Sequence, residues 1–303
     1  MSAPTIEPSA ARGAQRAAAA GIAELLACGS IEMTAHRLGD ARALADALPA
    51  GTGVYVNHLP RHTLATTLAA LEAVHATGLE PVPHLAARRI ASHAELRAFL
   101  DRAVRAVGVQ KVLLIGGDDP APAGPYADST AVLRAGILAE CGVREVGIAG
   151  YPEGHPRIPR AALERAMTEK LALAADQGLG AYVVTQFSFA PARVVEYCAE
   201  LAGRAPEIPV YVGMAGPTDP VTLLRYAQRC GVSASLRALR DEGIRFVRLV
   251  THTDPYDQLV ALAHYCLAHP ICNVVGTHFF SFGGAAPTAA WMNRMIAARA
   301  ASG

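Results

Sequence analysis

The chain of 303 residues has little charge, few aromatic rings and no long apolar run. Charged residues make up 17% and aromatics 6%. Lys+Arg 27 against Asp+Glu 26 leave a formal net charge of +1. No basic block exceeds two residues, so the electrostatic footprint of a nucleic-acid binder is missing and no such partner is expected. Acidic tails and polar low-complexity tracts are also missing, which excludes a largely disordered chain. No uninterrupted apolar stretch approaches ~18 residues, so no membrane span is expected. The six cysteines (Cys28, Cys141, Cys198, Cys230, Cys266, Cys272) show no CxxC spacing. Their scatter fits reduced thiols and a cytoplasmic location rather than a disulfide framework, and Cys198 and Cys266, inside apolar helical patterns, are expected to pack. No GxGxxG follows the first strand-like run, which weakens a dinucleotide-binding doubly wound fold.

What is abundant is apolar: 52% of the chain, enough for one large core. Short strand-like runs fall at Ser30–Met33, Gly53–Val56, Glu80–His84, Lys111–Ile115, Glu145–Ala149, Tyr182–Gln186, Pro209–Val212 and Asn273–Phe280. Helical spacing lies between them, at Thr63–His75, Ala94–Val107, Ala131–Cys141, Arg160–Ala175, Ala190–Ala202 and Pro220–Arg229, with a closing helix over Pro287–Ala300. Strands apolar on both faces and separated by helices imply a parallel sheet covered on each side. Eight such units without a long linker predict a (β/α)8 TIM barrel, an α/β fold, over residues 29–303. Residues 1–28 read as an N-terminal helical extension, in which Ala10–Leu26 is an amphipathic helix rather than a transit peptide. Gly243–Val250 has a strand-like pattern, but it is read as the end of a helical insertion over Ser233–Thr251.

Gly and Pro cluster directly after the strands, at Gly116-Gly117, Pro122–Pro125, Pro152–Pro159, Gly213–Pro220 and Gly283-Gly284. In a barrel these are the loops of the C-terminal face, where active sites are built. Polar residues at strand ends are therefore the candidates. Glu32 sits inside the apolar first strand. Aimed into the barrel mouth it would be desolvated and its pKa raised, suiting a general acid; a carboxylate paired with a neighbouring strand is the equal alternative. Asp118 follows two glycines that let a flat or phosphorylated ligand approach the backbone, although a Gly-rich turn capped by Asp118-Asp119 explains the same residues. His84 and His155 each end a strand. Without an HxH or HExxH spacing they are expected to hydrogen-bond a ligand or loop, and no metal site is expected. Gln186 offers an amide donor and acceptor to the edge of a pterin or carboxamide, or else serves loop backbone. Phe279, Phe280 and Phe282 would stack on a planar ligand or fill the barrel.

Taken in order, these pieces resemble the methylenetetrahydrofolate reductase family. The correspondence runs from Ile31 to about Phe282. Ile31-Glu32 matches the family's first-strand Glu motif, Pro83-His84-Leu85 its Pro-His-Leu motif, and Gly116-Gly117-Asp118 its Arg-Gly-Asp motif. A Tyr-Ala pair follows at Tyr126-Ala127, and the Tyr-Pro-Glu-x-His-Pro and Thr-Gln-Phe-x-Phe motifs are intact at Tyr151–Pro156 and Thr185–Phe189. The resemblance implies a barrel that binds FAD, with NADH or NADPH as hydride donor and methylenetetrahydrofolate reduced to 5-methyltetrahydrofolate. Glu32 and Asp118 would be its catalytic residues. Asn57, His58, His84, Gly116, Gly117, Asp118, Ala127, Tyr151, His155 and Lys170 would line the cofactors, and Gln186, Phe189 and Phe280 the folate. It also implies a homo-oligomer and no regulatory domain after the barrel.

The sequence departs from the family pattern at several places. Gly116 stands where the family has arginine, Gly283-Gly284 where the last strand's arginine falls, and His58 and Pro60 replace the strand-two tyrosine and alanine. Lys170 matches the expected lysine only if its helix has gained about one turn. Two further readings stay open on these grounds: a folate-binding methyltransferase on a similar barrel, and a flavin-free pterin-binding paralogue.

Overall fold

The computed structural model describes residues 8–59, 62–232, 255–269 and 271–300. The insertion expected over Ser233–Thr251 lies outside them. Eight strands, β1 Ser30–Thr34, β2 Gly53–Asn57, β3 Glu80–Ala86, β4 Lys111–Ile115, β5 Glu145–Gly150, β6 Gly180–Thr185, β7 Val210–Ala215 and β8 Val274–Phe280, form a closed barrel in chain order. Every neighbouring pair is parallel, and β8 closes on β1 with Ser30 beside His278 and Ile31 beside Phe279. The fold is the expected (β/α)8 barrel, with an N-terminal helix.

The helices that cover it are α1 Pro8–Ala27, α2 Asp40–Ala47, α3 Leu64–His75, α4 His93–Val107, α5 Ser129–Arg134, α6 Ile137–Glu140, α7 Arg160–Asp176, α8 Pro191–Arg204, α9 Pro220–Arg229, α10 Tyr256–Ala268 and α11 Ala285–Ala300. Alternation along the strands sorts side chains between two cores. Val54, Val56, Val112, Leu114 and Val146 face outward and merge with Leu68, Leu71, Leu96 and Leu100 of the helices into the main core. Tyr55, Val82, Leu113, Tyr182 and Val184 face inward as a separate cluster. Gly147 makes that inner layer possible, since a Cβ there would lie 2.7 Å from the Tyr182 ring and 2.9 Å from Leu113. The Tyr55 hydroxyl donates to that of Tyr182 at 3.1 Å, so the buried phenols satisfy each other.

Below this layer, at the N-terminal end of the barrel, Lys111 bridges Glu80 at 3.4 Å and Glu145 at 3.7 Å. Above it lie the C-terminal strand ends and the candidate residues. Helix α1 buries Ile22, Ala23, Leu25 and Leu26 against α10, α11 and β8. The single helix expected over Ala131–Cys141 is instead two, α5 and α6, because Gly136 takes φ +70° between them.

Candidate active site

Glu32 is the third residue of β1, on the inward parity of the strand, and its side chain is 13% exposed at the barrel mouth. Two imidazoles face it from other strands. His84 Nε2 of β3 lies 3.6 Å from Glu32 Oε1, and His278 Nε2 of β8 lies 3.7 Å from the same oxygen. Both histidines are buried, and neither Nε2 has a hydrogen-bond partner. The Tyr55 ring lies beneath both, 4.6 Å from His278 and 5.8 Å from His84, edge to face. Ser30, on the same face of β1 as Glu32, meets His278 Nδ1 at 2.9 Å and also reaches the Thr277 carbonyl at 3.5 Å.

The arrangement corrects one expectation. Burial alone pushes the Glu32 carboxyl up, but His278, His84 and the amide of Asn57 outweigh it, and the group stays below its ordinary value. Burial pushes the His84 imidazole down to about 4, against the pull of Glu32. His84 is therefore uncharged at neutral pH, and the hold on the ionised carboxylate falls to His278 and Asn57. In the free protein Glu32 faces the mouth, as expected, but as a carboxylate and not as a held acid. Of the two readings open at this position, the free protein has the geometry of the paired carboxylate, set at the mouth.

Around this centre the wall is aromatic and amide-bearing. Phe280 lies 5.1 Å from the His278 ring and stacks on Phe282, which stacks in turn on Tyr226 at 4.2 Å. Phe187 packs edge-on against Phe189, Phe280 and Phe282. Gln186 falls just past β6, one residue beyond the observed strand. Its Oε1 accepts from the Phe187 N–H at 3.1 Å, which leaves its amide donors uncommitted to that turn. Asn57 ends β2 with a buried Oδ1 that has no partner.

The other expected residues fall into two neighbouring groups. On the rim, Asp118 is largely exposed and paired with Arg157 at 3.2 Å. His155 lies edge-on to Tyr151 at 5.3 Å, and its Nδ1 accepts from the Arg157 N–H. Gly116 and Gly117 join β4 to this rim. Asp118 follows the C-terminal end of β4, the end of the barrel that Glu32 faces, and the Cys230 thiol is pushed up to about 11 by burial first and by the two carboxylates second. The second group lies outward, where α7 and α8 diverge around a cavity of about 570 Å³ lined by Tyr151, Met167, Lys170, Tyr197 and Leu201 among others. Lys170 is lowered by its burial there, while Asp128, next to Ala127, pulls it back up. His58 is buried beside β2, and its Nε2 meets the His62 carbonyl at 3.2 Å.

Three features of the site were not anticipated. His278 lay unremarked in an apolar run, and its only sequence signal was a histidine on the inward parity of the last strand. Arg88 donates to the carbonyls of Ala127 and Asp119, both at 2.8 Å. Arg89 pairs with Asp119 at 2.7 Å and donates to the His58 carbonyl. The two arginines tie the β3, β4 and β2 loops together.

Compared with known proteins, residues 42–237 match the family model described as Methylenetetrahydrofolate reductase. Among solved structures, the chain is similar to a Clostridium thermocellum protein that binds two copies of 5-methyl-5,6,7,8-tetrahydrofolic acid. The TM-score is 0.56 at 12% identity, over 88% of this chain and 96% of that one. A weaker likeness, TM-score 0.40 at 16% identity over 64% of this chain and 76% of the other, is to 3-dehydroquinate dehydratase from Geobacillus kaustophilus HTA426. At 12% identity the first likeness speaks to the barrel alone.

Proposed function

Because the chain belongs to the methylenetetrahydrofolate reductase family, we propose that it reduces methylenetetrahydrofolate to 5-methyltetrahydrofolate, using FAD and a reduced nicotinamide. The observation that carries the reading is Glu32 at the barrel mouth, faced by His84 and His278 and walled by Phe280. The residues present fit a flat ring system. A Cβ on Gly116 would meet nothing within 4 Å, so the backbone is uncovered there. Asn57 Oδ1 is buried without a partner, as a site awaiting a polar ring edge requires. A bound flavin supplies the hydride chemistry, and the chain supplies position and charge.

In this reading Phe280 and Phe189 hold the pterin face and Gln186 binds its amide edge. A pterin over the mouth removes the last exposed surface of Glu32. Burial is already the largest influence on that carboxyl and acts to raise it. Glu32 therefore takes up a proton as folate binds and gives it to N10, so that the N10–methylene bond breaks and the N5 iminium forms. Asp118, Tyr151, His155, Lys170, Ala127 and the Gly116-Gly117 backbone would hold the cofactor.

The test is an anaerobic spectrum of purified protein before and after NADH, followed by methylenetetrahydrofolate. Flavin absorbance that NADH bleaches and folate restores is the expected result. Glu32→Gln should abolish the restoration and leave bleaching within about twofold; equal collapse of both phases removes Glu32 from the acid role. One observation favours a second reading, a flavin-free pterin binder. No arginine stands at Gly116, and the cations nearby, Arg88 and Arg157, are already engaged by carbonyls and by Asp118. Tight binding of 5-methyltetrahydrofolate with no flavin absorbance and no NADH oxidation would establish it.

A further inference from the structure

His84 and His278 present a specific electrostatic problem. Each buries its Nε2 within 3.7 Å of Glu32 Oε1 with no hydrogen-bond partner. Ser30 Oγ meets His278 Nδ1 at 2.9 Å, which orients the ring with Nε2 toward the carboxylate. Two imidazole nitrogens and one carboxylate oxygen converge there. Both buried Nε2 atoms lack a hydrogen-bond partner, a state that folding disfavours, and an ion coordinated by all three would satisfy them together.

We propose that Glu32, His84 and His278 form a binding site for one divalent transition-metal ion of the zinc class. The three donor atoms lie within 4.8 Å of one another, the one such cluster among the described residues. The two separations from Glu32, 3.6 and 3.7 Å, are a few tenths of an ångström wider than the roughly 3.3 Å between adjacent ligands of a tetrahedral centre with bonds of about 2.0 Å, and with all three atoms within 4.8 Å rotation of the two imidazoles toward the carboxylate closes the site. Two imidazoles and a carboxylate are the donor set of open zinc sites, which keep a fourth position for water or a ligand. Here that position faces the mouth, where Glu32 retains its exposure. The donors come from β1, β3 and β8, on the rigid wall of the barrel. Ser30 on His278 Nδ1 supplies the outer hydrogen bond that orients a ligating imidazole. A metal-bound Glu32 cannot carry the proton that the proposed folate chemistry needs, so metal and that chemistry exclude each other at this carboxylate, and the site does not rest on the folate reading.

The test uses the full chain, stripped with chelator and titrated with zinc in a calorimeter, with cobalt(II) as spectroscopic probe and no folate, flavin or nicotinamide present. The expected result is one saturable zinc per chain and visible cobalt bands without the near-ultraviolet band of a thiolate ligand. His278→Ala and Glu32→Gln should each weaken binding at least tenfold, and Ser30→Ala, which leaves all three donors in place, about tenfold. Circular dichroism and melting temperature report whether His278→Ala folds; if it does not, the cobalt spectrum of the unaltered chain and Glu32→Gln decide. The proposal is overturned by absence of saturable binding, or by binding that ignores Glu32→Gln. It is equally overturned by a thiolate band that disappears in Cys266→Ser, because Cys266 and Cys272 hold their sulfurs 3.2 Å apart and are the competing site.

Discussion

Gly116 and the Gly283-Gly284 pair both stand where the family resemblance leads one to expect arginine, yet their surroundings differ. A Cβ on Gly116 would enter open space, whereas one on Gly283 would sit 2.2 Å from the Pro217 carbonyl oxygen. The backbone at the end of β8 has closed against the β7 loop and admits no side chain, while the backbone after β4 has only lost one. Gly116→Arg should therefore leave stability within about 0.5 kcal/mol and, on the proposed reading, raise the flavin retained per chain after gel filtration. Gly283→Ala should cost roughly 1–3 kcal/mol through overpacking. Melting curves and flavin absorbance of the two variants check both, and a destabilised Gly116→Arg would show that the space is not free. The same scale explains what a linear reading of the site could reach. Glu32, His84 and Gln186 were legible because each is polar at the end of an apolar strand. The pairing of Glu32 with His278 was not, because the two stand 246 positions apart (278 − 32) and meet only when β8 closes on β1. For the same reason the sign of the Glu32 shift escaped: burial is visible in sequence pattern, but the partners that outweigh it are not.

Among the elements, the strands were read most surely, because eight short apolar runs between helical segments leave few arrangements for the chain. Their ends are less legible: β6 begins at Gly180 and stops at Thr185 rather than running from Tyr182 to Gln186. Helix starts were fixed by capping chemistry. The Ser92 hydroxyl accepts from the Glu95 N–H at 3.1 Å, and Glu95 returns a bond to the Ala91 N–H, a reciprocal arrangement close to a capping box. At the other end Gly108 takes φ +78°, the left-handed stop that favours glycine. Helix α4 buries Leu96, Phe99, Leu100 and Ala103 against the barrel, so its start matters to the wall behind β3 and β4. Ser92→Ala should lower stability by about 1 kcal/mol without altering folate affinity, as melting and binding titrations would show. A loss of folate binding equal to that of a Glu32 variant would mean that the start of α4 communicates with the mouth.

Across the whole molecule the barrel interior is layered: charge at the N-terminal end, tyrosines and aliphatics in the middle, and the Glu32 cluster at the C-terminal end. The middle layer of Tyr55, Val82, Leu113 and Tyr182 separates two sets of ionisable groups, so each set is governed by its own neighbours, and the lower set belongs to stability rather than chemistry. Lys111 is its centre. Burial works to lower its ammonium, but Glu80 and Glu145 outweigh that and raise it. A lysine raised in the folded state contributes stability that is complete below its unfolded value, ~10.4. That contribution is lost as pH climbs through the raised one. Lys111→Met leaves two carboxylates facing each other across the end of the barrel. It should lower the melting temperature at neutral pH by about 2–5 °C, corresponding to a half-buried pair of roughly 1–2 kcal/mol. The gap should narrow at alkaline pH above that raised value, where the unaltered chain loses the same charge. A gap that stays constant to the alkaline limit would show that the lysine acts by its aliphatic stem filling the barrel's lower end, and that the ion pairs contribute nothing there.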